Sequence, residues 1–265
     1  MKRITINQIK LFKKATTPFA TITAYDYTSS QIVDSLGFPL ILVGDSAAMV
    51  VFGMNTTIPI DMDEMLFLVK SVTTGAKRSL VVADMPFMSY QPSVELAVLN
   101  AGRFLKESNA QAVKIEGGSN HIKKMEAIIN SGIPVMGHIG LLPQSINQIS
   151  GYQIQGKSKS DADKIKEDAL AIENSGAFAI VLEGIPSNLA LDITRSISIP
   201  TIGIGAGPHC DGQIQVYHDI LGIYSDFSPK HAKKYGDLNK EIKKSLGQYK
   251  KEVELKKFPE KQHFV

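Results

Sequence analysis

Short apolar runs alternate with helical patterns along most of this 265-residue chain. The predicted strands are Phe19–Thr23, Leu40–Val43, Leu80–Ala83, Ala112–Ile115, Pro134–Gly137, Ala179–Leu182, Pro200–Ile204 and, as the weakest, Ile220–Tyr224. Most are continuous Val/Ile/Leu segments, which is typical of parallel strands buried on both faces. Eight strand–helix units with short connections favour an α/β fold, a (β/α)8 TIM barrel forming a single domain over residues 1–265. The alternative is an open doubly wound sheet, whose site would lie where the strand order reverses.

The segments between these runs carry apolar residues at three- and four-residue spacing, which predicts helices. The clearest are Asp61–Gly75, Ser93–Lys106, His121–Asn130 and Ala162–Ser175. Asp61 followed by Glu64 is a capping-box pattern and predicts where the first of these helices begins. Gly132 and Gly176 stand where C-terminal helix caps are expected.

Composition and charge narrow the class of protein. Apolar residues make up 43% of the chain and charged residues 21%, as in ordinary globular proteins. The apolar runs are strand-sized, so no transmembrane segment is predicted, and the N-terminus turns polar too early for a signal peptide. The single cysteine, Cys210, precludes an intramolecular disulfide and favours a cytoplasmic location. No nucleic-acid-binding motif is present.

The C-terminal part of the chain differs from the rest. Residues 229–265 contain 11 lysines against 5 acidic residues, and from about residue 236 the pattern predicts a basic helical tail. Acids interrupt the lysines, which favours a solvated helix face over nucleic-acid or membrane binding. An apolar stripe on this helix is predicted to dock on the body of the protein or on a neighbouring subunit. Its members are Leu238, Ile242, Leu246, Tyr249 and Val253.

Four of the apolar runs end in an acid, at Asp45, Asp84, Glu116 and Glu183. An ionised carboxylate loses solvation there unless a metal, a cation or a substrate compensates it. In a barrel these positions open onto the rim where such enzymes build their active sites. Carboxylates without Cys or clustered His favour Mg²⁺ or Mn²⁺ over Zn²⁺. The sequence therefore predicts an oxygen-rich metal site with Asp45 and Asp84 as ligands; the alternative is that each caps the following helix.

Two further polar residues, Lys114 and His138, are expected near these acids. Lys114 and Glu116 are two apart on one strand and so point to the same side. One interpretation is a buried ion pair within the barrel. In the functional interpretation, Lys114 anchors a substrate carboxylate and Glu116 is a metal ligand. His138 ends the fifth run and is either a satisfied core histidine or a hydrogen-bond donor to substrate. Glu183 is a candidate general base, or else supports the metal ligands indirectly.

Two long connections follow strand ends, at residues 46–60 and 139–160, and are predicted to be lids or substrate walls. The glycines from Gly203 to Gly207 follow the seventh run, where many barrels bind phosphate. Tight turns that let the backbone approach a substrate are the preferred interpretation, with a phosphate cradle as the alternative. Their spacing is not that of a dinucleotide-binding fingerprint. Cys210 is interpreted as incidental to the chemistry.

Several segments, in order, resemble the ketopantoate hydroxymethyltransferase (3-methyl-2-oxobutanoate hydroxymethyltransferase) family over about residues 5–235. They are Thr21-Ile22-Thr23-Ala24-Tyr25-Asp26-Tyr27, Val43-Gly44-Asp45-Ser46, Ala83-Asp84-Met85-Pro86-Phe87-Met88, Val113-Lys114-Ile115-Glu116-Gly117-Gly118, Gly137-His138-Ile139-Gly140-Leu141, Pro143-Gln144-Ser145, Tyr152-Gln153-Ile154-Gln155-Gly156, Leu182-Glu183, Ile202-Gly203-Ile204-Gly205-Ala206-Gly207 and Asp211-Gly212-Gln213. The chain departs from the family at Ala47-Ala48-Met49, where a glycine usually precedes the methionine, and at Ser150, which replaces the first of a usual glycine pair.

The resemblance implies a barrel of the phosphoenolpyruvate/pyruvate type, assembled as a homodecamer in bacterial members. It implies transfer of a hydroxymethyl group from 5,10-methylenetetrahydrofolate to 3-methyl-2-oxobutanoate through a Mg²⁺-stabilised enolate, the first committed step of pantothenate biosynthesis and so part of the coenzyme A pathway. The family's metal ligands match Asp45, Asp84 and Glu116. Its oxo-acid contacts match Asp45, Ser46, Asp84, Lys114 and His138, and its catalytic base matches Glu183.

Two other functions remain open at this stage. One is a Mg²⁺-dependent carbon–carbon lyase on the same barrel, acting through a similar enolate. The other is a catalytically silent barrel that binds metabolites, which the complete set of acids disfavours.

Overall fold

The computed structural model describes residues 2–148, 151, 153–224 and 229–265. Its strands are β1 (Phe19–Thr23), β2 (Leu40–Val43), β3 (Leu80–Asp84), β4 (Ala112–Glu116), β5 (Val135–Gly140), β6 (Ala179–Glu183), β7 (Thr201–Ile204) and β8 (Gly212–Gln215). Its α-helices are α1 (Ile6–Leu11), α2 (Tyr27–Ser35), α3 (Ala47–Val50), α4 (Met62–Gly75), α5 (Val94–Ser108), α6 (Ile122–Asn130), α7 (Lys159–Asn174), α8 (Ser187–Ser196), α9 (Tyr217–Leu221) and α10 (Leu238–Glu254).

The strands form a closed barrel in the order β1 to β8. Neighbouring strands are parallel, and β1 pairs with β8 through partners such as Phe19 and Gly212. Strands β2 and β3 are buried along their whole length, as their continuous apolar sequences predict. The closed ring confirms the TIM-barrel prediction and excludes the open doubly wound sheet.

The prediction of the eighth strand at Ile220–Tyr224 is wrong. The strand that closes the barrel is Gly212–Gln215, and Tyr217–Leu221 is the short helix α9. In β8 the buried residues Gly212 and Ile214 alternate with half-buried glutamines, so the strand lacks the apolar run that marks the other seven. A polar strand is sufficient here because hydrogen bonds to β1 and β7 hold it on both sides.

Side chains from alternate strand positions fill the barrel interior. Leu42, Val82, Met136 and Ile202 belong to one cluster of buried residues, which also includes Ile9 of α1. Because this cluster contains the first residues of several strands, including Leu40 and Leu80, α1 closes the N-terminal end of the barrel. The opposite, C-terminal end is left for the polar residues.

The predicted helix boundaries are largely confirmed. Asp61 caps α4 and forms the expected capping box with Glu64. Gly132 and Gly176 adopt φ values of +85° and +93°, a left-handed conformation that favours glycine. The first long connection contains α3. The second long connection begins later than predicted, because β5 continues to Gly140. Three of its residues, Ile149, Ser150 and Tyr152, lie outside the described residues.

The chain divides into two compact units, Met1–Val216 and Tyr217–Val265. The first contains all eight strands. The second contains α9 and α10, and the predicted stripe from Leu238 to Val253 recurs every three or four residues along α10. Docking of this stripe, and the assignment of residues 1–265 to one domain, stay predictions. No helix in the described part of the chain is long and apolar enough to cross a membrane.

Candidate active site at the C-terminal rim

The four predicted acids lie at the C-terminal ends of their strands. Asp84, Glu116 and Glu183 are the last residues of β3, β4 and β6, and Asp45 follows β2 by two residues. Strand register fixes their neighbours, since Asp84 pairs with Lys114 on β4 and Glu116 pairs with His138 on β5. The barrel therefore brings the predicted site residues to one rim.

Lys114 is the cation at the centre of this group. Its Nζ donates hydrogen bonds to both carboxylate oxygens of Asp84, at 2.7 and 2.8 Å, and to Glu116 Oε1 at 3.3 Å. All three side chains are buried. Burial opposes the charge on Lys114, but the carboxylates of Asp84 and Glu116 outweigh it and raise the pKa of the ammonium. The predicted Lys114–Glu116 pair exists, and it extends to Asp84.

His138 lies between two carboxylates. Its Nδ1 is 3.3 Å from Glu116 Oε1 and its Nε2 is 3.2 Å from Glu183 Oε2, at ion-pair distance but without hydrogen-bond alignment. Burial and the Lys114 charge lower the pKa of His138, yet Glu116 and Glu183 outweigh them and raise it to about 9. Burial would raise the pKa of Glu116, but Lys114 and His138 lower it to about 2. His138 is therefore a cation that links the two acids.

Asp45 lies against Asp84. Its backbone N–H donates to Asp84 Oδ2 at 3.1 Å, and its own Oδ2 accepts from Gln144 Nε2 at 3.1 Å. Burial, followed by the charges of Asp84 and Glu116, raises the pKa of Asp45 well above its usual value. Neither Asp45 nor Asp84 caps the helix that follows it. The helix after Asp45 is α3, whose N-cap is Ser46, and the helix after Asp84 is α5, whose N-cap is Ser93.

Ser46 lies at the start of α3, and its Oγ is 2.8 Å from the hydroxyl of the buried Tyr25. Glu183 is the most accessible of the site carboxylates, with 14% of its side chain exposed against 2% for Glu116. A ligand entering the rim would therefore meet Glu183 before it met the deeper acids.

The donor set fits a hard divalent cation. Asp45, Asp84 and Glu116 bring three carboxylates into a buried space where Lys114 and His138 are the nearby cations, and oxygen ligands are those that Mg²⁺ prefers. Burial and then the nearby charges of Asp84 and Glu116 raise the pKa of Asp45, which agrees with a site where a further compensating cation would be stabilising. Within the described ranges, no three His, Cys, Asp or Glu side chains already converge on one metal position. Here the Lys114 ammonium bridges Asp84 and Glu116 instead.

Gln144 is the site residue that sequence reasoning missed. Besides Asp45, its Nε2 donates to the carbonyl of Met85 at 2.9 Å, and its backbone N–H donates to Glu116 Oε2 at 3.1 Å. Its Oε1 accepts from the hydroxyl of Tyr90 at 2.9 Å. A single buried glutamine thus holds two of the acids, Asp45 through its side chain and Glu116 through its backbone. The only sequence signal was its place in the Pro143-Gln144-Ser145 segment, which by itself indicates no role.

Replacing Gln144 with methionine is expected to lower kcat/KM about 10- to 100-fold, the usual cost of losing a group that orients metal ligands. The side-chain volume is nearly conserved, so the loss comes from the freed Asp45 carboxylate. Divalent-metal affinity, measured by calorimetry, should fall with activity. The matched control is Gln91→Met, because the Gln91 side chain contacts Gln144 Oε1 and the backbone N–H of Tyr90 but none of the site acids among the described contacts. Equal metal affinity for wild type and Gln144→Met would contradict this role.

The glycines after β7 form tight turns, as preferred from the sequence. Gly205 and Gly207 have φ values of +62° and +79°, and a Cβ on Gly207 would clash with Ser187. Cys210 is buried, and burial raises the pKa of its thiol to about 11, so it is a poor nucleophile at neutral pH. Its interpretation as incidental agrees with this environment.

Fold and site together define an α/β-barrel enzyme whose acids and cations meet at the C-terminal rim. The ketopantoate hydroxymethyltransferase family model matches residues 3–261. The 3-methyl-2-oxobutanoate hydroxymethyltransferase of Carboxydothermus hydrogenoformans is 53% identical, covering 99% of this chain and 95% of that protein. The protein of the same name from Dehalococcoides mccartyi is 54% identical, covering 97% and 92%. The chain belongs to the ketopantoate hydroxymethyltransferase family and is a hydroxymethyl-transferring enzyme.

Solved structures support the fold at much lower identity. A 2,3-dimethylmalate lyase, described as a member of the PEP mutase/isocitrate lyase superfamily, matches with a TM-score of 0.62 at 14% identity, covering 96% of this chain and 88% of that one. A phosphonopyruvate hydrolase in complex with oxalate and Mg²⁺ matches with a TM-score of 0.61 at 13% identity, covering 81% of each chain. These matches confirm the TIM-barrel fold, and the phosphoenolpyruvate/pyruvate type of that barrel stays a prediction.

Proposed function

We propose that this enzyme transfers a hydroxymethyl group from 5,10-methylenetetrahydrofolate to 3-methyl-2-oxobutanoate, giving 2-dehydropantoate (ketopantoate). The reaction would serve pantothenate, and hence coenzyme A, biosynthesis in the cytoplasm, in a homodecamer. The observation that carries the proposal is the rim cluster of Asp45, Asp84, Lys114, Glu116, His138 and Glu183 in a chain about half identical to proteins named for this activity.

The deep part of the site suits the charged end of the oxo-acid. Lys114 provides a buried ammonium, and Ser46 provides a hydroxyl, for the substrate carboxylate. Asp45, Asp84 and Glu116 would hold Mg²⁺, which supplies Lewis-acid stabilisation of negative charge on the 2-oxo oxygen, worth several kcal/mol. Protonated His138 can donate a hydrogen bond to an oxygen of the oxo-acid once the substrate displaces His138 from Glu116 or Glu183.

In our proposal, Glu183 carries out the proton transfer. It is the most accessible carboxylate of the cluster, and His138 Nε2 lies 3.2 Å from Glu183 Oε2. We assign to it the removal of the C3 proton of the oxo-acid. C3 then bonds to the carbon delivered by the folate, the folate carbon–nitrogen bonds break, and water supplies the hydroxyl oxygen of the product. Tetrahydrofolate leaves with its nitrogens reprotonated.

The carbon–carbon lyase alternative has less support. The lyase among the structural neighbours shares the fold at 14% identity, whereas relatives with the hydroxymethyltransferase name are 53–54% identical over nearly the whole chain. A silent metabolite-binding barrel is disfavoured by the names of the same relatives and by the complete set of acids at the rim.

Product analysis tests the proposal directly. The protein is mixed with Mg²⁺, 3-methyl-2-oxobutanoate and 5,10-methylenetetrahydrofolate, and 2-dehydropantoate is followed by mass spectrometry. We expect product only when all three are present. Cleavage of a branched oxo-acid without any folate would support the lyase instead, and binding of the oxo-acid without turnover would support the silent barrel.

A further inference from the structure

A cavity of about 450 Å³ opens beside β6, the strand that carries Glu183. Its walls come from the residues just before α7, the first two turns of α7 and the start of α8. They include Lys157, Ser158, Lys159, Lys166, Asn188 and Asp192. Its volume is within the range of small-molecule sites. None of these residues belongs to the acid cluster described above.

Backbone contacts fix this cavity to the same rim as the acid cluster. Pro186 belongs to its lining and follows Glu183 by three residues, so their Cα atoms are at most about 11 Å apart. The N–H of Gln155 donates to the carbonyl of Gly184 at 2.9 Å, which holds the adjacent loop against the end of β6. A Cβ on Gly156 would come within 3.0 Å of Ile165, so the floor of the cavity is closely packed.

The lining is positively charged. Lys166 is paired with Asp192 at 2.9 Å, which neutralises one of the three lysines. Across the described residues, Lys157 and Lys159 have no salt-bridge partner. The cavity therefore offers two uncompensated ammonium groups, together with the polar side chains of Ser158 and Asn188. Such a lining suits a ligand that carries two or more carboxylates.

We propose that this cavity binds the glutamate tail of the folate co-substrate, an inference that rests on the proposed function. The one-carbon unit of the folate has to reach the carbon that Glu183 deprotonates, and the tail lies at the other end of the same molecule. A carboxylate-binding cavity on the same rim, near Glu183 but outside the acid cluster, is where such a tail would extend. Additional glutamates would add carboxylates for Lys157 and Lys159.

The test is the affinity for tetrahydrofolate with one and with three glutamates, measured by calorimetry in the presence of Mg²⁺ and the oxo-acid. Wild type should bind the triglutamate about 5- to 10-fold more tightly, the effect of two partly screened charge pairs. The variant Lys157→Gln/Lys159→Gln should lose this preference, and raised salt should weaken it in wild type. Lys164→Gln, an exposed lysine of α7 outside the cavity, is the matched control and should keep it.

The possible outcomes distinguish a wrong assignment of the cavity from a wrong assignment of the folate co-substrate. Equal affinity for both folates in wild type, or an unchanged preference in the double variant, would overturn the cavity assignment and leave the proposed function intact. Failure of either folate to bind wild type would overturn the folate co-substrate itself, and this inference with it. Circular dichroism of the double variant should match that of wild type, since both lysines are exposed.

Discussion

The variant Glu183→Gln is expected to lose turnover about 10²- to 10⁴-fold, the usual contribution of a positioned general base. Glutamine has the same shape but cannot accept the C3 proton. Oxo-acid affinity should change only a few-fold, because the buried cluster around Lys114 is untouched. Steady-state kinetics give kcat and KM, and loss of deuterium from C3 of the labelled oxo-acid reports proton removal separately.

Glu167→Gln is the matched control for Glu183→Gln, since Glu167 is an exposed glutamate of α7, away from the rim cluster. It should leave both readouts unchanged. If Glu183→Gln kept near-normal turnover and deuterium loss, another group would have to be the base.

The variant Asp84→Ala is expected to lose divalent-metal-dependent binding of the oxo-acid and to lower the free energy of unfolding by about 3–5 kcal/mol. The stability loss arises because Lys114 would lose its two shortest hydrogen bonds, at 2.7 and 2.8 Å, while remaining buried. The remaining contact with Glu116, at 3.3 Å, places the expected loss toward the lower end of that range. Denaturant unfolding and calorimetry measure the two effects.

The two effects of Asp84→Ala can be separated. Adding Lys114→Met removes the stranded charge, so the double variant should recover much of the stability but none of the metal-dependent binding. The control Asp63→Ala breaks an ion pair with Arg103 of similar length, 2.8 Å, but exposed, and should cost about 1 kcal/mol or less. Equal losses for Asp84→Ala and Asp63→Ala would contradict the buried role of Asp84.

Much of the barrel was predictable because its strands are buried on both faces and therefore read as apolar runs. The predicted ends of β3, β4 and β6 fall one residue short, since each strand continues through its terminal acid: Asp84, Glu116 and Glu183. Strand β8 was missed for the opposite reason. Its glutamines need no apolar contact, because neighbouring strands hold the backbone.

The site was predictable where it depends on strand order and less so where it depends on loops. Acids at strand ends must meet at one rim, so the convergence of Asp84, Glu116 and Glu183 follows from the fold. Gln144 could not be found this way, because nothing in the sequence indicates that the loop after β5 turns back over Asp45 and Glu116. That contact depends on tertiary packing.

The central claim is that Asp45, Asp84 and Glu116 hold one divalent cation that also receives the oxo-acid. A crystal structure with Mn²⁺ in place of Mg²⁺, and with 3-methyl-2-oxobutanoate, tests it most directly through the anomalous signal of the metal. We expect one strong peak at the C-terminal rim within coordination distance of Asp45, Asp84 and Glu116, with Lys114 shifted toward the substrate carboxylate. A peak on any other surface, with the Lys114–Asp84 contact intact and the oxo-acid bound elsewhere, would contradict the claim.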